Sequence, residues 1–435
     1  MIYTIALIIE ALIAWYRPQY ALSIALAIIL LIPNSIKFNI GINLNVFNLA
    51  ILFVVISYLK KVWKSRPRYS DLKKILIFYT VYIIVTSFFS AILEDTIDEY
   101  LLNIILFIFE YTLLAYVLCW DTMNNKGLNF FNFLLIIVSS IIVVYAFINY
   151  VLKYNPYIAY VSMVSDSEDL SNKFIEEQRG ILDGRVSSVF THPLQLGQFI
   201  VLIFTYFLYE FREKLHPLVR GVFLTLFFIC AVLTGSRAAL VPIFVVGLIY
   251  MLQFSTPKLL RYIIGGVVLI SFVYVNLPKD TQAFVNANVM FWDDRVAEKS
   301  DIQGSSKEGR LGQVELAISV ISDNPILGKG LKYKNNHEEM MPNGIVGAES
   351  IFILTMIEGG FLGLIVFLFF YYKLYKLLKK RCVSKFDISR VNALCVSFFI
   401  SICLTGISYS FFCIFMIFYM ITLYRISCTC ERIQE

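Results

Sequence analysis

Several apolar runs in this chain, Leu72 to Leu93 and Tyr100 to Trp120 among them, reach the roughly 20 residues that a helix needs to cross about 30 Å of hydrocarbon. In a bilayer the backbone N–H and C=O groups find no water, so runs of this kind must be helices; an open sheet would leave polar groups unpaired. Composition agrees. Of the 435 residues 59% are hydrophobic and 16% charged, against about 25% charged in soluble domains, and a soluble core cannot hide that much apolar surface. The net charge of +6 is spread through short loops instead of gathering on one polar face, which argues against a nucleic-acid partner. Met1 is followed by no basic n-region and no small-residue cleavage site, so the first helices are expected to act as the insertion signal.

Spans are expected near 2–16, 19–33, 44–60, 72–93, 100–120, 129–152, 194–210, 217–234, 236–253, 259–277, 348–374, 388–405 and 407–426. The first two are short and could form a shallow hairpin. The expected fold class is therefore an all-α polytopic membrane protein with 12–13 transmembrane helices. Orientation follows from basic residues in short loops. Lys60, Lys61, Lys64, Arg66, Arg68, Lys73 and Lys74 surround one junction, and Lys373, Lys376, Lys379, Lys380, Arg381, Lys385 and Arg390 another, so both are assigned to the cytoplasm. The turn with Glu94, Asp95, Asp98 and Glu99 then lies outside. The eight cysteines fall in helices or on the cytoplasmic side, as reduced thiols should. Cys428 and Cys430 have no further Cys or His nearby to complete a zinc site, so no metal is expected.

The organisation expected is amino-terminal helices over 1–152, a first large outer loop over 153–193, central helices over 194–277, a second large outer loop over 278–347, and carboxy-terminal helices with a cytoplasmic tail over 348–435. In the second loop Ser305 and Glu308 have capping-box spacing. Leu311, Val314, Ala317, Ile318 and Ile321 follow at helical spacing before Asp323, Asn324 and Pro325 stop the run, predicting an amphipathic helix on the outer membrane surface or on the bundle.

No phosphate-binding glycine loop, HExxH, GxSxG or CxxC is present, so any chemistry must come from outer-loop residues. Arg237 sits in Thr234-Gly-Ser-Arg-Ala-Ala-Leu240, at headgroup level, either snorkelling or facing a ligand in the space left by the small residues. Arg310 shares a face with Val314, Ala317 and Ile321 and points to the bundle or pairs with Glu308 or Glu315. Arg179 and Arg185 close the first loop. Four arginines bordering one cavity suit a diphosphate, whose oxygens their planar forks bind bidentately. Acid–base candidates on the outer face are His192, His337 and Glu349, with His216 cytoplasmic. Glu349 enters a long apolar helix, where burial would raise its pKa towards that of a general base, or where it caps the helix. Glu10, Glu110 and Glu358 are carboxylates inside apolar helices with no partner legible in sequence, and packing against polar groups of the bundle is the simplest account of them.

Three stretches, in this order, resemble the O-antigen polymerase and O-antigen ligase superfamily: Arg185-Val-Ser-Ser-Val-Phe-Thr-His-Pro-Leu-Gln-Leu-Gly197, Thr234-Gly-Ser-Arg-Ala-Ala-Leu240, and Arg310 followed by Asp323-Asn-Pro-Ile-Leu-Gly-Lys-Gly330, with Glu358-Gly-Gly-Phe-Leu-Gly363 on the next helix. The resemblance covers roughly 180–365. It implies a GT-C-like, multi-pass enzyme of the bacterial inner membrane with its site facing the periplasm. The donor implied is an undecaprenyl-diphosphate-linked oligosaccharide, used without metal or other cofactor, with a chain-length regulator, a flippase and membrane lipids as partners. Arg185, Arg237 and Arg310, joined by Arg179, would hold the diphosphate, and Glu349 or His337 would take the acceptor proton. Where ligases carry a His-Asn pair this chain has Ala348-Glu349-Ser350, with His337 displaced upstream, which favours a Wzy-type polymerase. A ligase delivering glycan to lipid A core is the alternative within the superfamily. A lipid-linked sugar flippase is the alternative outside it, though the repeated halves of a transporter are not visible.

Overall fold

Among the described residues, the continuously apolar stretches are helical. A computed structural model describes residues 2–33, 36–39, 43–94, 96–120, 124–164, 185–254, 307–333, 337, 350–405 and 409–434, with 271, 275 and 282 singly. In order these form α1 (Ile2–Tyr16), α2 (Pro18–Leu31), a two-stranded antiparallel ribbon of β1 (Lys37–Asn39) and β2 (Asn43–Asn45), α3 (Val46–Lys64), α4 (Ser70–Leu93) and α5 (Ile97–Phe107). A π-turn (Ile108–Thr112) leads into α6 (Leu113–Val117), followed by α7 (Asn125–Leu152), α8 (Pro156–Val164), α9 (Pro193–Glu210), α10 (Pro217–Leu233) and α11 (Arg237–Met251). The remaining helices are α12 (Lys307–Val320), α13 (Ile351–Lys380), α14 (Lys385–Thr405) and α15 (Tyr409–Gln434).

Among the described residues seven segments are long and apolar enough to cross a membrane: α3, α4, Glu99–Val117, α7, α13, α14 and Phe412–Thr429. The shorter apolar helices α1, α2, α10 and α11 coincide with four further expected spans, and α9 with a fifth. The span expected at 259–277 lies outside the described residues. The protein is an all-α polytopic membrane protein. α4 shows why this follows from side-chain placement as well as from length. It buries Tyr79, Thr86, Ser87 and Ser90 and exposes Phe78, Val81, Val85 and Phe89, an arrangement that water would penalise and lipid tails favour.

The chain divides into two compact units, residues 1–142, 313–382 and 405–435 forming the first and 143–312 and 383–404 the second. In the first unit α15 is central, with every residue from Phe412 to Tyr424 buried. Its Phe412 ring stacks on Tyr111 with centroids 3.9 Å apart, and Tyr79 stacks on Phe370 at 4.1 Å. At the basic end, Arg68 and Arg381 lie over the Tyr69 ring and Lys73 over Trp120, an aromatic and basic belt of the kind found at membrane interfaces. In the second unit α9 packs on α10 and α11, and Tyr209, Gln253 and Ser389 share a hydrogen-bonded cluster beside the Arg390–Glu210 ion pair at 3.2 Å.

The amphipathic helix exists as α12, but its apolar stripe is split. Ala317 and Ile321 are buried with Ile353, Met356 and Ile357 of α13, while Leu311, Val314 and Ile318 remain exposed. The five residues span too wide an arc for one packed seam, so two of them dock and three face outward. Ser305, the first half of the expected capping box, lies outside the described residues, as does the side chain of Glu308.

Candidate functional site

The two glycine motifs recognised in sequence form one structure in the first unit. α13 is broken at Gly360, whose φ of 62° and ψ of −163° are closed to ordinary side chains. A broken helix at membrane depth frees backbone groups that need partners. The loop after α12 supplies them. The N–H of Lys329 donates to the Ile357 carbonyl at 2.8 Å and that of Gly330 to Glu358 at 3.0 Å, while the N–H groups of Phe361 and Leu362 donate to the carbonyls of Pro325 and Ile326. The crossing is too close for side chains. A Cβ on Gly328, itself at φ 68°, would stand 2.6 Å from the Ile357 oxygen, and one on Gly360 would run into the Ile326 and Pro325 carbonyls. Asn324, expected only to stop the helix, also bonds both ways with Gly328.

That docking carries three side chains of the loop to acidic partners. Lys329, 8% exposed, places Nζ 2.9 Å from each carboxylate oxygen of Glu94 at the end of α4, with Asp323 at 3.5 Å. Burial alone would lower the pKa of this ammonium. The hydrogen bond and charge of Glu94, with smaller help from Tyr333 and Asp323, outweigh burial and hold it above the ordinary lysine value. Lys332 adopts φ 61°, rare for a residue with a Cβ. Its N–H donates to Glu358 Oε1 at 3.0 Å and its Nζ to Glu110 Oε2 at 3.2 Å, Glu110 being presented by the π-turn. π-turns often mark functional positions. Farther along, the His337 ring stacks on Tyr333 with centroids 4.4 Å apart, its Nδ1 3.3 Å from the Tyr333 carbonyl and its Nε2 3.9 Å from Glu99 Oε1. Burial, and then the charge of Glu94, raise the Tyr333 phenol above its usual range, with Lys329 opposing and Glu99 adding.

Two cavities adjoin the loop and share Ser87 and Leu331. One is walled by Tyr79, Phe107, Tyr111 and Phe367 and reached by Glu358. The other, smaller one is bounded by polar side chains, Glu99, Asn103, Lys329 and Tyr333 among them.

In the second unit, the Thr234-Gly-Ser-Arg motif is a tight reversal. α10 ends with Gly235 at φ 58°, the left-handed residue that commonly closes a helix, and Arg237 opens α11. Arg185 Nε donates to the Thr234 carbonyl at 2.9 Å, and the N–H of Val186 to Leu233 at 3.1 Å. The Ser187–Ser188 segment is held in turn by the buried Asn155, whose Nδ2 donates to Ser187 Oγ and the Ser188 carbonyl. Gly197 lets α9 approach this turn, a Cβ there meeting Ala239 Cβ at 3.0 Å.

Of the sequence-derived residues, Arg185 and Arg237 therefore flank one turn. Arg310 lies in the first turn of α12 with its side chain outside the described residues, and Arg179 and Glu349 are outside them altogether. His192 is a helix cap, its Nδ1 accepting the Leu194 N–H. The expectation that Glu110 and Glu358 merely pack is corrected, because Lys332 bonds both. Glu10 is buried with neither carboxylate oxygen bonded among the described residues. Lys329, Lys332 and the role of Glu94 and Glu99 were missed. The signal was present in a lysine flanked by two glycines and an acidic turn assigned to the same outer side.

Comparison with known families bears directly on these motifs. Residues 222–368 match a family model described as O-antigen ligase. Over these residues the chain is similar to the O-antigen ligase family. The match begins within α10 and takes in the Thr234–Leu240 turn, α12, the Gly328–Gly330 loop and the break in α13. Members of that family are glycosyl-transferring enzymes. A search of curated proteins finds no match.

Proposed function

We propose that the protein is an O-antigen or capsular repeat-unit polymerase, transferring a growing glycan from undecaprenyl diphosphate onto a lipid-linked repeat unit at the outer face of the bacterial inner membrane. A chain-length regulator and a flippase are its partners. The observation that carries this reading is the family match across all the motifs from Thr234 to Gly363. In the reaction, the acceptor hydroxyl oxygen attacks the anomeric carbon of the donor, and the bond from that carbon to the diphosphate oxygen breaks. Undecaprenyl diphosphate leaves with the electron pair. Arg185, Arg237, Arg310 and Arg179 stabilise its charge, and the acceptor proton passes to His337 or Glu349. The stacking of His337 on Tyr333, with Glu99 beside it, supports the histidine as a base with a fixed ring.

A ligase is the second reading, favoured by the description of the matched family. The departure at Ala348-Glu349-Ser350 from the ligase His-Asn pair favours polymerase. Glycans in a deletion strain separate the readings: single-unit chains indicate a polymerase, unattached long chains a ligase, and cytoplasmic-side accumulation of lipid-linked units a flippase. Loss of the general base costs about a hundredfold to ten-thousandfold in rate. Glu349→Gln with single-repeat glycans and little effect of His337→Ala would assign the carboxylate, and the opposite pattern the histidine.

A further inference from the structure

We propose that the basic end of the first unit is a binding site for the phosphate headgroup of one anionic glycerophospholipid, held by Arg68, Lys73 and Arg381. The site is independent of the transferase reading and of which leaflet this end faces. Separate segments of the chain bring the three cations together. Arg68 stands in the turn between α3 and α4, Lys73 in the first turn of α4, and Arg381 at the end of α13. The guanidinium carbons of Arg68 and Arg381 lie 5.8 and 5.3 Å from the centroid of the same Tyr69 ring, and Arg68 is also 5.8 Å from that of Tyr424 in α15. The Lys73 ammonium stands 5.1 Å from the Trp120 ring and 5.5 Å from that of Tyr116. The turn that presents Arg68 is tied down before any ligand arrives. The Trp120 indole N–H donates to the Ser65 carbonyl at 2.8 Å, and the Tyr69 N–H to the Cys119 carbonyl at 3.1 Å.

Charge decides what such a cradle takes. Residues 60–74 carry seven basic side chains against the single carboxylate of Asp71, and residues 373–381 carry five against none. This end therefore keeps a surplus of positive charge whichever partners its residues have. An aromatic face attracts a cation without neutralising it, and two guanidiniums on one ring repel each other. A phosphate answers both, because arginine forks bind its oxygens bidentately. Snorkelling alone accounts for other cations here. Lys373, Lys376 and Lys379 each lean on the ring four residues back along their own helix, Phe369, Tyr372 and Tyr375, a local arrangement that needs no ligand. Arg68 and Arg381 instead converge from separate segments on a ring that is 3% exposed. What adjoins the cradle favours a lipid over a free phosphate. About two turns along α4 and three turns back along α13, the exposed rings of Phe78 and Phe369 meet edge-on with centroids 6.4 Å apart. They form an apolar surface at the depth of acyl chains. Basic pockets between membrane helices hold anionic headgroups in this way.

The test uses the full-length protein, delipidated in nonionic detergent, with phosphatidylglycerol as probe and phosphatidylcholine as the lipid without net charge. Binding is read by native mass spectrometry and stability by thermal unfolding. Phosphatidylglycerol should bind and raise the unfolding temperature by several degrees, and phosphatidylcholine should do neither. Arg68→Gln with Arg381→Gln should weaken phosphatidylglycerol binding about tenfold or more, as loss of charged hydrogen bonds predicts. Arg68→Lys with Arg381→Lys keeps the charge and tests the forks in a less perturbed protein; it should bind several-fold more weakly than wild type. Lys373→Gln with Lys376→Gln removes the same charge from the same end and should bind as wild type does. Wild-type affinity in either arginine pair, or equal stabilisation by phosphatidylcholine, overturns the site. So does an equal loss in the Lys373 and Lys376 pair, which would reduce the effect to diffuse surface charge. Displacement of the lipid by millimolar inorganic phosphate at constant ionic strength would make this a free-phosphate site and overturn the lipid assignment.

Discussion

Lys329 and Glu94, 235 positions apart in the chain, meet with both carboxylate oxygens 2.9 Å from the ammonium. The pair joins the end of α4 to the loop that fills the break in α13, so one buried contact fixes the wall of the polar cavity and the path of the membrane helix together.

Removing one member of a buried pair leaves an uncompensated charge, at a cost of about 3–5 kcal/mol. Lys329→Met and Glu94→Gln are each expected to lower the thermal unfolding temperature of the purified protein strongly, and the double variant to recover much of the loss. Additive losses would show that the two side chains do not interact. The pH dependence has a definite sign. Because the folded pKa of Lys329 is raised, its contribution is fully present below about pH 10.5 and fades as pH rises through the folded value. Wild-type protein should lose stability in that alkaline window more than Lys329→Met does.

Gly359 and Gly360 are adjacent but not equivalent. A Cβ at Gly359 meets nothing within 4 Å, whereas at Gly360 it strikes loop carbonyls in a left-handed backbone. Gly360→Ala should abolish stable expression or shift unfolding by several degrees, and Gly359→Ala should leave stability near wild type. Equal behaviour in a thermal unfolding assay would mean that the loop is not docked in the break.

The spans were legible because crossing hydrocarbon imposes a length and a composition that few other constraints can imitate. Motif residues 323–330 and 358–363 were legible as motifs, yet their mutual docking was not, since backbone hydrogen bonds between a loop and a broken helix leave no periodic trace. Glu94 and Glu99 registered only as an acidic turn that set the orientation. Glu110 and Glu358 stood out as charges in apolar helices, but the residue that meets them, Lys332, lies 222 and 26 positions away and no spacing marks the contact. The apolar stripe of α12 was over-read because hydrophobicity does not say which part of a wide arc packs.

The two arginines at the Thr234–Ser236 turn should separate by readout. Arg185 anchors the turn through Nε to the Thr234 carbonyl, so Arg185→Lys should reduce thermal stability as well as polymer length. Arg237→Lys keeps charge but loses the bidentate fork. It should fold normally and still produce mostly single-unit glycans. Full-length polymer from Arg237→Lys would remove it from the diphosphate site.

Orientation is open to direct labelling. Ile326 is 64% exposed in the loop after α12, and Cys382 follows the basic end of α13. A cysteine at 326 should react with an impermeant thiol reagent in intact spheroplasts, and Cys382 only after lysis. The reverse order would put the loop and its cavities in the cytoplasm.

Lys332 offers a test in which two effects pull in opposite directions. Its left-handed backbone costs on the order of 1–3 kcal/mol, so Lys332→Gly relieves strain and, were the side chain idle, would stabilise the protein. The side chain is not idle in this structure, because Nζ is 3.2 Å from a largely buried Glu110. Leaving that carboxylate without its cation costs more than the strain returned, about 3–5 kcal/mol by the behaviour of buried pairs. Lys332→Gly should therefore unfold at a lower temperature than wild type, Lys332→Arg should remain near it, and adding Glu110→Gln to Lys332→Gly should raise stability above that of the single variant. A Lys332→Gly protein as stable as wild type would mean that the strained turn is held by the Glu358 hydrogen bond alone and that the Glu110 pair contributes nothing.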